Sequence, residues 1–391
     1  MSWPMVELGS IANFINGFAF KPEHWEEDGK PIIRIQNLTD SSKSFNYSSM
    51  DIPEKYHVVK GDLLVSWSAT LDVFEWHRED ALLNQHIFKV EPNFAKVNKE
   101  YLRYALRDAI SAMLKFTRGS TMKHVNRGDF LGTKIPLPPL KTQKQIAAVL
   151  EKADQLRKDC QQMEQELNNL ARSVFIDMFG SKAQGYSEWP LHKIEELAES
   201  KKGSMRTGPF GSDLKHSEFV DEGIAVIGID NAVKNEFAWG ERRFITPEKY
   251  EKLKRYRVYP QDLIITIMGT TGRIAVIPND IPLSISTKHL AVITLDKEKV
   301  LPEFLAIAIK THPDLLHQIL DSNKGAIMDG LNLGLIKALS LKLPPLDLQS
   351  EYLAVLKVIQ ERVFESRSSL KQHNDLFNAL MQKAFKGELN L

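Results

Sequence analysis

Two long stretches of the chain place apolar residues at alternating steps of three and four. The first runs from Lys141 to Phe179, the second runs from Asp347 to Phe385, and neither contains proline or glycine. This spacing is a heptad seam, the signature of coiled-coil helices. It predicts two helices of roughly 55 Å each at about 1.5 Å per residue, far longer than a usual globular helix.

The predicted seams are defined by their apolar positions. In the first helix these are Ile146, Val149, Ala153, Leu156, Cys160, Met163, Leu167, Leu170, Val174 and Met178. In the second they are Tyr352, Leu356, Ile359, Val363, Ser366, Leu370, His373, Phe377, Leu380 and Ala384. A narrow stripe of that length needs a partner, and each helix is the natural partner of the other. We interpret His373 as a polar residue tolerated in the seam and not as a ligand.

The chain is a tandem duplication. Each helix follows a Leu-Pro-Pro-Leu segment, at 137–140 and at 343–346, with a glutamine three residues further on, Gln143 and Gln349. Upstream, residues 34–37 (Arg-Ile-Gln-Asn) match residues 228–231 (Gly-Ile-Asp-Asn). Two modules related by an internal pseudo-twofold axis would carry antiparallel helices, and partners with their own dyad become natural candidates.

Before each long helix, short apolar runs alternate with turn signals, as in residues 62–66 and 262–267. One clear helix is predicted near the end of each module, over residues 99–115 and 302–320. The proline pairs end each module in an extended segment because they disfavour helix for the residue before them. We therefore predict an α+β fold in which each module contains a mainly antiparallel, twisted sheet.

Composition narrows the class of protein only in part. The length of 391 residues fits two domains, and the formal net charge of +1 neither favours nor excludes nucleic acid. The chain has no apolar run of about 20 residues and no signal-peptide pattern, so we expect a cytoplasmic protein. The single Cys160 cannot form an intrachain disulfide. Without a Cys or His cluster, a structural metal is not expected.

Loops with glycine, hydroxyl and basic residues are the candidate binding surface. They span 17–21, 66–70, 118–124, 208–215, 269–273 and 323–328, and polar residues at strand starts accompany them. Such loops suit phosphate or a DNA groove, although tight turns and solvated charges explain them as well. The predicted DNA-binding residues are Lys21, Ser66, Ser68, Thr70, Gln85, His86, Arg118, Lys123, Arg127, Ser212, Lys215, Thr270, Thr271, Arg273, Lys288, His289 and Lys324.

The chain lacks the common motifs of catalysis. It contains no GxGxxG after a strand, no P-loop, no HExxH, and no Asn/Asp-Pro-Pro-Tyr/Phe motif of amino-methyltransferases. The proline pairs here follow leucine, which cannot bond an exocyclic amine. Inspection leaves open a nuclease built on scattered acidic residues and lysines.

The two modules, the Leu-Pro-Pro-Leu segments with their glutamines, and the endings at Phe179-Gly180 and Phe385-Lys-Gly387 together resemble the specificity subunit of type I restriction-modification systems. The resemblance covers essentially the whole chain. It implies that each module is a target recognition domain for half of a split DNA site, and that antiparallel helices set the spacing. No short tandem repeat separates the first helix from the second module, a departure from some members.

The resemblance also implies partners. Two methyltransferase subunits, which use S-adenosylmethionine to methylate adenine N6, would dock on the chain, and ATP-driven translocase and nuclease subunits would complete the restriction enzyme. The chain itself would carry no cofactor and no catalytic residue.

The predicted divisions are recognition domain 1 (1–140, the first module), spacer helix 1 (141–180), recognition domain 2 (181–346, the second module) and spacer helix 2 (347–391). Two alternatives stay open. One is a coiled-coil adaptor with two protein-binding heads and no affinity for DNA. The other is a self-contained nuclease or methyltransferase.

Overall fold

A computed structural model describes residues 3–68, 70–116, 127–322 and 331–391. The chain forms two compact units: the first comprises Met1–Gln162 together with Ser366–Leu391, and the second comprises Met163–Glu365. Both long helices therefore contribute to each unit. This division differs from the four consecutive segments assigned from the sequence, which stay a prediction.

In its described residues, the first module contains short strands and three α-helices. The strands are β1 (Met5–Glu7), β2 (Ala12–Asn16), β3 (Lys30–Ile33), β4 (Asn46–Ser48), β5 (His57–Val58), β6 (Leu63–Ser66), β7 (Asp72–Glu75), β8 (Ala81–Leu83), β9 (Ile87–Pro92) and β10 (Lys134–Pro136). The helices are α1 (Ile35–Thr39), α2 (Lys99–Phe116) and α3 (Arg127–Leu131), and the long helix α4 (Leu140–Phe179) follows. One sheet has the order β2-β9-β6-β7, a second has the order β4-β3-β8-β5, and β1 pairs with β10.

The second module repeats this topology. Its strands are β11 (Leu191–Lys193), β12 (Met205–Thr207), β13 (Ile224–Ile227), β14 (Phe244–Ile245), β15 (Arg257–Val258), β16 (Leu263–Thr266), β17 (Ile274–Val276), β18 (Ser284–Ser286), β19 (Leu290–Ile293) and β20 (Ser340–Lys342). Its helices are α5 (Pro247–Leu253), α6 (Pro302–Thr311), α7 (Pro313–Ser322) and α8 (Leu333–Ala338), followed by the long helix α9 (Leu346–Lys386).

Its sheet orders, β12-β19-β16-β17, β14-β13-β18-β15 and β11-β20, match those of the first module. The registers also agree, since Leu63 faces Val90 and Leu263 faces Ile293. The strands pair antiparallel except for β3 with β8 and β13 with β18, which are parallel. The α+β fold with mainly antiparallel sheets is confirmed, although each module contains more than one sheet.

One predicted helix was wrong. The stretch predicted to be one helix from 302 to 320 is divided into α6 and α7 at His312 and Pro313. His312 is extended, with φ −67° and ψ 123°, because the ring of the following proline disfavours helical backbone there. The Nε2 of the buried His312 ring lies 2.9 Å from the carbonyl oxygen of Phe179.

The long helices run antiparallel where they meet inside each unit. In the first unit, the Arg157 Nε donates to Asn374 Oδ1 at 2.7 Å, and the hydroxyl of Ser366 donates to the carbonyl of Cys160 at 2.9 Å. In the second unit, the Tyr352 hydroxyl donates to the carbonyl of Ala171 at 3.3 Å. His373 lies in the seam, with its Nδ1 3.4 Å from the sulfur of Cys160.

The predicted seam is correct for α9 and only half correct for α4. Every predicted position of α9 is buried or half-buried. On α4 one row at steps of seven, from Ile146 to Val174, is buried or half-buried, whereas Val149, Leu156, Met163 and Leu170 are 36%, 39%, 51% and 48% exposed. A heptad pattern marks two rows of apolar residues. In α4 the single partner helix covers only the row from Ile146 to Val174.

The end of a long helix completes the core of each module. In the second unit, Phe175 and Phe179 of α4 pack against Phe304, with ring centroids 5.9 and 4.9 Å away. In the first unit, Phe385 of α9 packs against Tyr101, with ring centroids 5.7 Å apart. Buried aromatic rings contribute large apolar areas, so neither module has a complete core without its helix end.

The glutamine after each Leu-Pro-Pro-Leu segment is a buried backbone link. Gln143 Oε1 accepts from the Asn98 N–H at 2.8 Å, and its Nε2 donates to the carbonyls of Lys96 and Pro138 at 3.1 and 2.8 Å. Because buried backbone groups must be hydrogen-bonded, this one side chain fixes the start of α2 against the start of α4.

Gln349 makes the same contacts in the second module. Its Oε1 accepts from the Leu301 N–H at 2.9 Å, and its Nε2 donates to the carbonyls of Lys299 and Pro344 at 3.3 and 2.9 Å. The repeated glutamine is thus explained by the fold of each module.

Candidate DNA interface

Three predicted segments of the first module meet at the turn Asn84–His86, between β8 and β9. Phe18 of the 17–21 loop donates its N–H to the carbonyl of Leu83 at 2.8 Å. Trp67 of the 66–70 loop donates its N–H to the carbonyl of His86 at 3.4 Å, and the two rings are 5.5 Å apart. The polar residues Gln85 and His86 therefore lie beside both loops, although the sequence separates them widely.

The second module brings its equivalent segments together at the turn Thr287–His289. Ile267 donates its N–H to the carbonyl of His289 at 2.9 Å, which ties the 266–273 loop to this turn. On the other side, a Cβ added at Gly208 would lie 2.3 Å from the carbonyl carbon of Thr287. The same three segments thus meet in both copies of the fold.

The glycines at 17 and 208 serve the packing of the strands. A Cβ at Gly17 would lie 2.2 Å from the carbonyl oxygen of Asn84, as close an approach as that of Gly208 to Thr287. Any side chain there would push the loop away from the turn. In the 269–273 loop, Gly269 and Gly272 have φ of 74° and 78°, which glycine adopts without strain.

A hydroxyl closes the loop after the third strand of each sheet. The Thr266 Oγ1 donates to the carbonyl of Thr270 at 2.6 Å and accepts from the Arg273 N–H at 2.8 Å. Ser66 plays the same part in the first module, where its hydroxyl bonds the Thr70 carbonyl and accepts from the Asp72 N–H at 3.2 Å. Ser66 is 0% exposed. Its selection as a surface contact is therefore corrected: it shapes the loop from inside.

The other hydroxyl residues lie nearer the surface. Thr70 and Thr270 are exposed, and Ser68 and Thr271 are half-buried. Each belongs to the loop that the buried hydroxyl closes. Among the predicted polar residues of the turn, Gln85 is half-buried and His86 is exposed.

The predicted cations differ in their surroundings. Arg273 is exposed and Lys288 half-buried, and no described residue forms an ion pair with either. Lys21 is exposed and lies 3.5 Å from Glu23. Lys215 is exposed, and its backbone N–H donates to Glu218 at 2.7 Å. Arg127 donates to the carbonyl of Phe14 at 3.2 Å and so lies against β2.

Partial burial and two neighbouring cations act on the imidazole of His289. Partial burial lowers the pKa of the imidazole below its ordinary value, and the positive charges of Lys288 and Arg243 lower it further. A neutral ring can both donate and accept a hydrogen bond, which suits contact with a polar surface.

Some predicted residues lie outside the described part of the chain. These are Arg118, Lys123 and Lys324. Ser212 lies within a short turn at 211–213, and its side chain is outside the described atoms.

A cavity of about 360 Å³ opens beside the turn of the first module. Its polar lining comprises Arg34, Gln36, Thr39, Asn84 and His86. Of these residues, His86 was predicted from the sequence, whereas Arg34 and Gln36 were not. The alignment of the two modules contained a signal for Arg34. Its equivalent is Gly228, and so large a difference between the two copies indicates a position that is free to vary.

A second cavity, of about 660 Å³, lies at the opposite end of the β12-β19-β16-β17 sheet. Arg206 forms part of its lining, and its guanidinium is already bonded to Asp262 at 2.6 Å and to the carbonyl of Arg257. Lysines 201, 202, 254 and 297 are also part of this lining. None of the predicted residues lies there.

The described residues contain no cluster of His, Cys, Asp or Glu that could hold a metal ion. Nor does any helix within the described ranges have the length and apolar character needed to cross a membrane.

Comparison with known proteins agrees with the duplicated fold. The family model for the type I restriction modification DNA specificity domain matches twice, at residues 2–169 and 186–372. The EcoBI specificity subunit of Escherichia coli, a type I restriction enzyme subunit, is 28% identical over 416 residues, which cover 99% of this chain and 86% of that protein. The MjaVIII specificity subunit of Methanocaldococcus jannaschii is 23% identical, covering 78% of this chain and 73% of its own length.

Solved structures share the fold. The S subunit from M. genitalium aligns with a TM-score of 0.54 at 15% identity, covering 98% of this chain and 96% of that one. A chain from a study of complex assembly and conformational transition of the type I R-M system aligns with a TM-score of 0.58 at 17% identity, covering 99% and 98%. Because the family model matches nearly the whole chain in two copies, the protein belongs to the DNA specificity subunits of type I restriction-modification systems.

Proposed function

We propose that each module reads one half of a bipartite site in double-stranded DNA. The observation that carries this proposal is the meeting of the same three polar segments at the turns 84–86 and 287–289. Two equivalent surfaces on one chain are what a split site requires. The alternative of an adaptor that ignores DNA is disfavoured by the family match.

The two kinds of DNA contact fall to different residues. Arg273 and Lys288 form no ion pair with any described residue and are suited to phosphate, which fixes the position of the protein on the duplex. Side chains around the turns are suited to base edges in the major groove, where all four base pairs can be distinguished. Thr70, Thr270, Gln85 and His289 are further candidates for such contacts.

The long helices are the proposed docking sites for two methyltransferase subunits. The exposed row on α4, from Val149 to Leu170, places large apolar side chains in solvent at steps of seven. An uncovered apolar row of this kind on a helix is suited to another helix. Restriction subunits would join the same complex.

Chemistry belongs to the partners in this proposal. The methyltransferase subunits bind S-adenosylmethionine and extrude the target adenine, and the restriction subunits bind ATP and Mg²⁺. The specificity chain selects the site and binds none of these cofactors. Since its substrate is chromosomal and incoming DNA, we place the complex in the cytoplasm.

Module exchange tests the function. The chain and its methyltransferase subunit are expressed in a host without other adenine methylation, and the methylated motif is found by sequencing. Residues 1–140 are then replaced by the corresponding module of a relative. We expect one half of the motif to change while the other half persists. A motif that changes in both halves, or a host that acquires no methylation from the wild-type complex, would overturn the proposal.

A further inference from the structure

Each module holds a guanidinium group beside its turn, but the two arginines come from opposite sides of the same strand pair. In the first module, Arg34 follows β3, and its Nη1 donates to Asn46 Oδ1 of β4 at 3.1 Å. In the second module, Gly228 is the equivalent of Arg34, and Arg243 is the equivalent of Asn46. Arg243 reaches back across the same strand pair and bonds Asp230, the equivalent of Gln36, at 2.5 Å.

The exchange is sterically matched. A Cβ added at Gly228 would lie 2.7 Å from Asp230 Oδ1 and 3.5 Å from Arg243 Nη2. A side chain at 228 would therefore displace the ion pair, so the glycine leaves the space that the second arginine uses. Each module thus has one arginine that reaches across the same strand pair, from opposite sides of that pair in the two modules.

The two sites differ in charge. Arg34 is half-buried, its guanidinium lies 5.5 Å from the centre of the Trp25 ring, and no described carboxylate forms an ion pair with it. Its unused donors face a cavity lined also by Gln36 and His86. In the second module, Asp230 neutralises Arg243 through Oδ1, on a side chain that is 28% exposed. Its Oδ2 is buried, with no hydrogen-bond partner among the described residues, so Oδ1 is the oxygen left to accept from a base. The first site thus offers donors, and the second offers an acceptor.

We propose that these two positions are the base-reading centres of the modules. Arg34 reads guanine in the first half-site by donating to O6 and N7, with Gln36 beside it. Asp230, oriented by Arg243, accepts from the exocyclic amino group of cytosine or adenine in the second half-site. These pairings follow from the donor and acceptor patterns of the major groove. The inference rests on the proposed function and adds the residues and the bases that they read.

The test for the first module uses the complete methyltransferase complex. Duplexes carry the methylated motif with each base pair of the first half-site replaced in turn, and a further set replaces each guanine by 7-deazaguanine, which lacks the N7 acceptor. We expect one guanine whose replacement weakens wild-type binding by roughly 5- to 100-fold, the range of one bidentate contact. The Arg34→Ala complex should bind the original and the substituted duplex equally.

Two further variants separate base contact from charge. Arg34→Lys keeps the positive charge but not the planar pair of donors, so it should keep the salt dependence of binding and lose the preference for guanine. Lys21→Ala removes an exposed cation predicted to contact DNA in the same module, so it should weaken binding equally on every duplex and leave the preference for guanine intact. Thermal unfolding of each variant establishes that the module is folded.

The outcomes are distinct. If Arg34→Ala weakens binding equally on every duplex, Arg34 contacts phosphate and the inference fails. It also fails if the variant keeps the wild-type preference, or if the first half-site contains no guanine on either strand. A wild-type complex that shows no bipartite preference at all would instead overturn the proposed function.

The second module has its own test. Asp230→Asn exchanges one acceptor oxygen for an amide that donates, so the preferred base at one position of the second half-site should change while the first half-site is unaffected. An unchanged motif in the methylated DNA of a host carrying this variant would show that Asp230 only holds Arg243.

Discussion

The two helix-to-module junctions differ in chemistry. In the second module, α6 presents Phe304 and Ala306 to a cluster of aromatic rings. In the first, the position of Ala306 is Arg103 on α2, which forms an ion pair with Glu100 at 3.0 Å and approaches Glu75 and Glu151 at 3.8 Å. A buried ion network adds little net stability to a protein because its charges lose their hydration, whereas packed aromatic rings add more. The second junction should therefore contribute more to stability than the first.

The glutamine links show the opposite behaviour. Gln143 and Gln349 bond equivalent backbone groups with nearly the same distances. These two glutamines, which satisfy buried backbone, are thus the same in both copies, whereas Arg103 and Ala306 at the junctions have diverged. This contrast separates structural from recognition positions without any further sequence.

Truncating the helix ends should expose the difference between the junctions. Phe179→Ala removes a fully buried ring and should cost about 3–5 kcal/mol in the free energy of unfolding. Phe385→Ala, at the equivalent but half-buried position, should cost less, about 1–3 kcal/mol. Denaturant unfolding of the two variants measures both. Equal losses would show that the aromatic cluster gives the second junction no advantage.

Removing the glutamine links should affect the two modules alike. Gln143→Leu or Gln349→Leu leaves one buried N–H and two carbonyls without their partner, at a cost of about 2–3 kcal/mol in each case. The exposed Gln360→Leu on α9 is the matched control and should change little. A large effect in one module and none in the other would contradict the equivalence of the two links.

Removing charge from the proposed reading face should weaken DNA binding. Arg273→Ala with Lys288→Ala deletes two cations, which should lower affinity and reduce the slope of log K against log salt by up to about 2. Lys201→Ala with Lys202→Ala deletes the same charge at the opposite end of the sheet and should change the slope less. A larger effect from the second pair would move the DNA-binding face to that end.

The smallest effect concerns His289. Its folded pKa lies below the ordinary 6.5, so its contribution to stability is complete above that value and is lost as pH falls toward the folded pKa. NMR titration of the ring should find the lowered pKa. Arg243→Ala should raise it by removing a positive charge, while burial keeps it below the ordinary value. A ring that titrates at or above 6.5 in the wild type would contradict the described surroundings.

Local patterns explain which features could be predicted. The long helices and the duplication were predicted because heptad spacing and repeated motifs are properties of neighbouring residues. The exposure of Val149 and Leu156 was not predicted, because heptad spacing does not reveal how many partner helices cover the seam. The break between α6 and α7 had a local signal in Pro313. The effect of this proline on the backbone outweighed the apolar periodicity that predicted one continuous helix. The exchange of Arg34 for Arg243 was hidden because the two positions meet only through strand pairing.

The packing of α9 on the first module also fixes when that module can finish folding. Phe377, Met381 and Phe385 belong to its core, yet the ribosome makes them after the whole second unit, residues 163–365. At about 5–20 residues per second, the nascent first module waits about 10–40 s with the surface around Tyr101 and Tyr104 uncovered. A premature stop within the last 26 residues, 366–391, would consequently damage the module made first and spare the one made last.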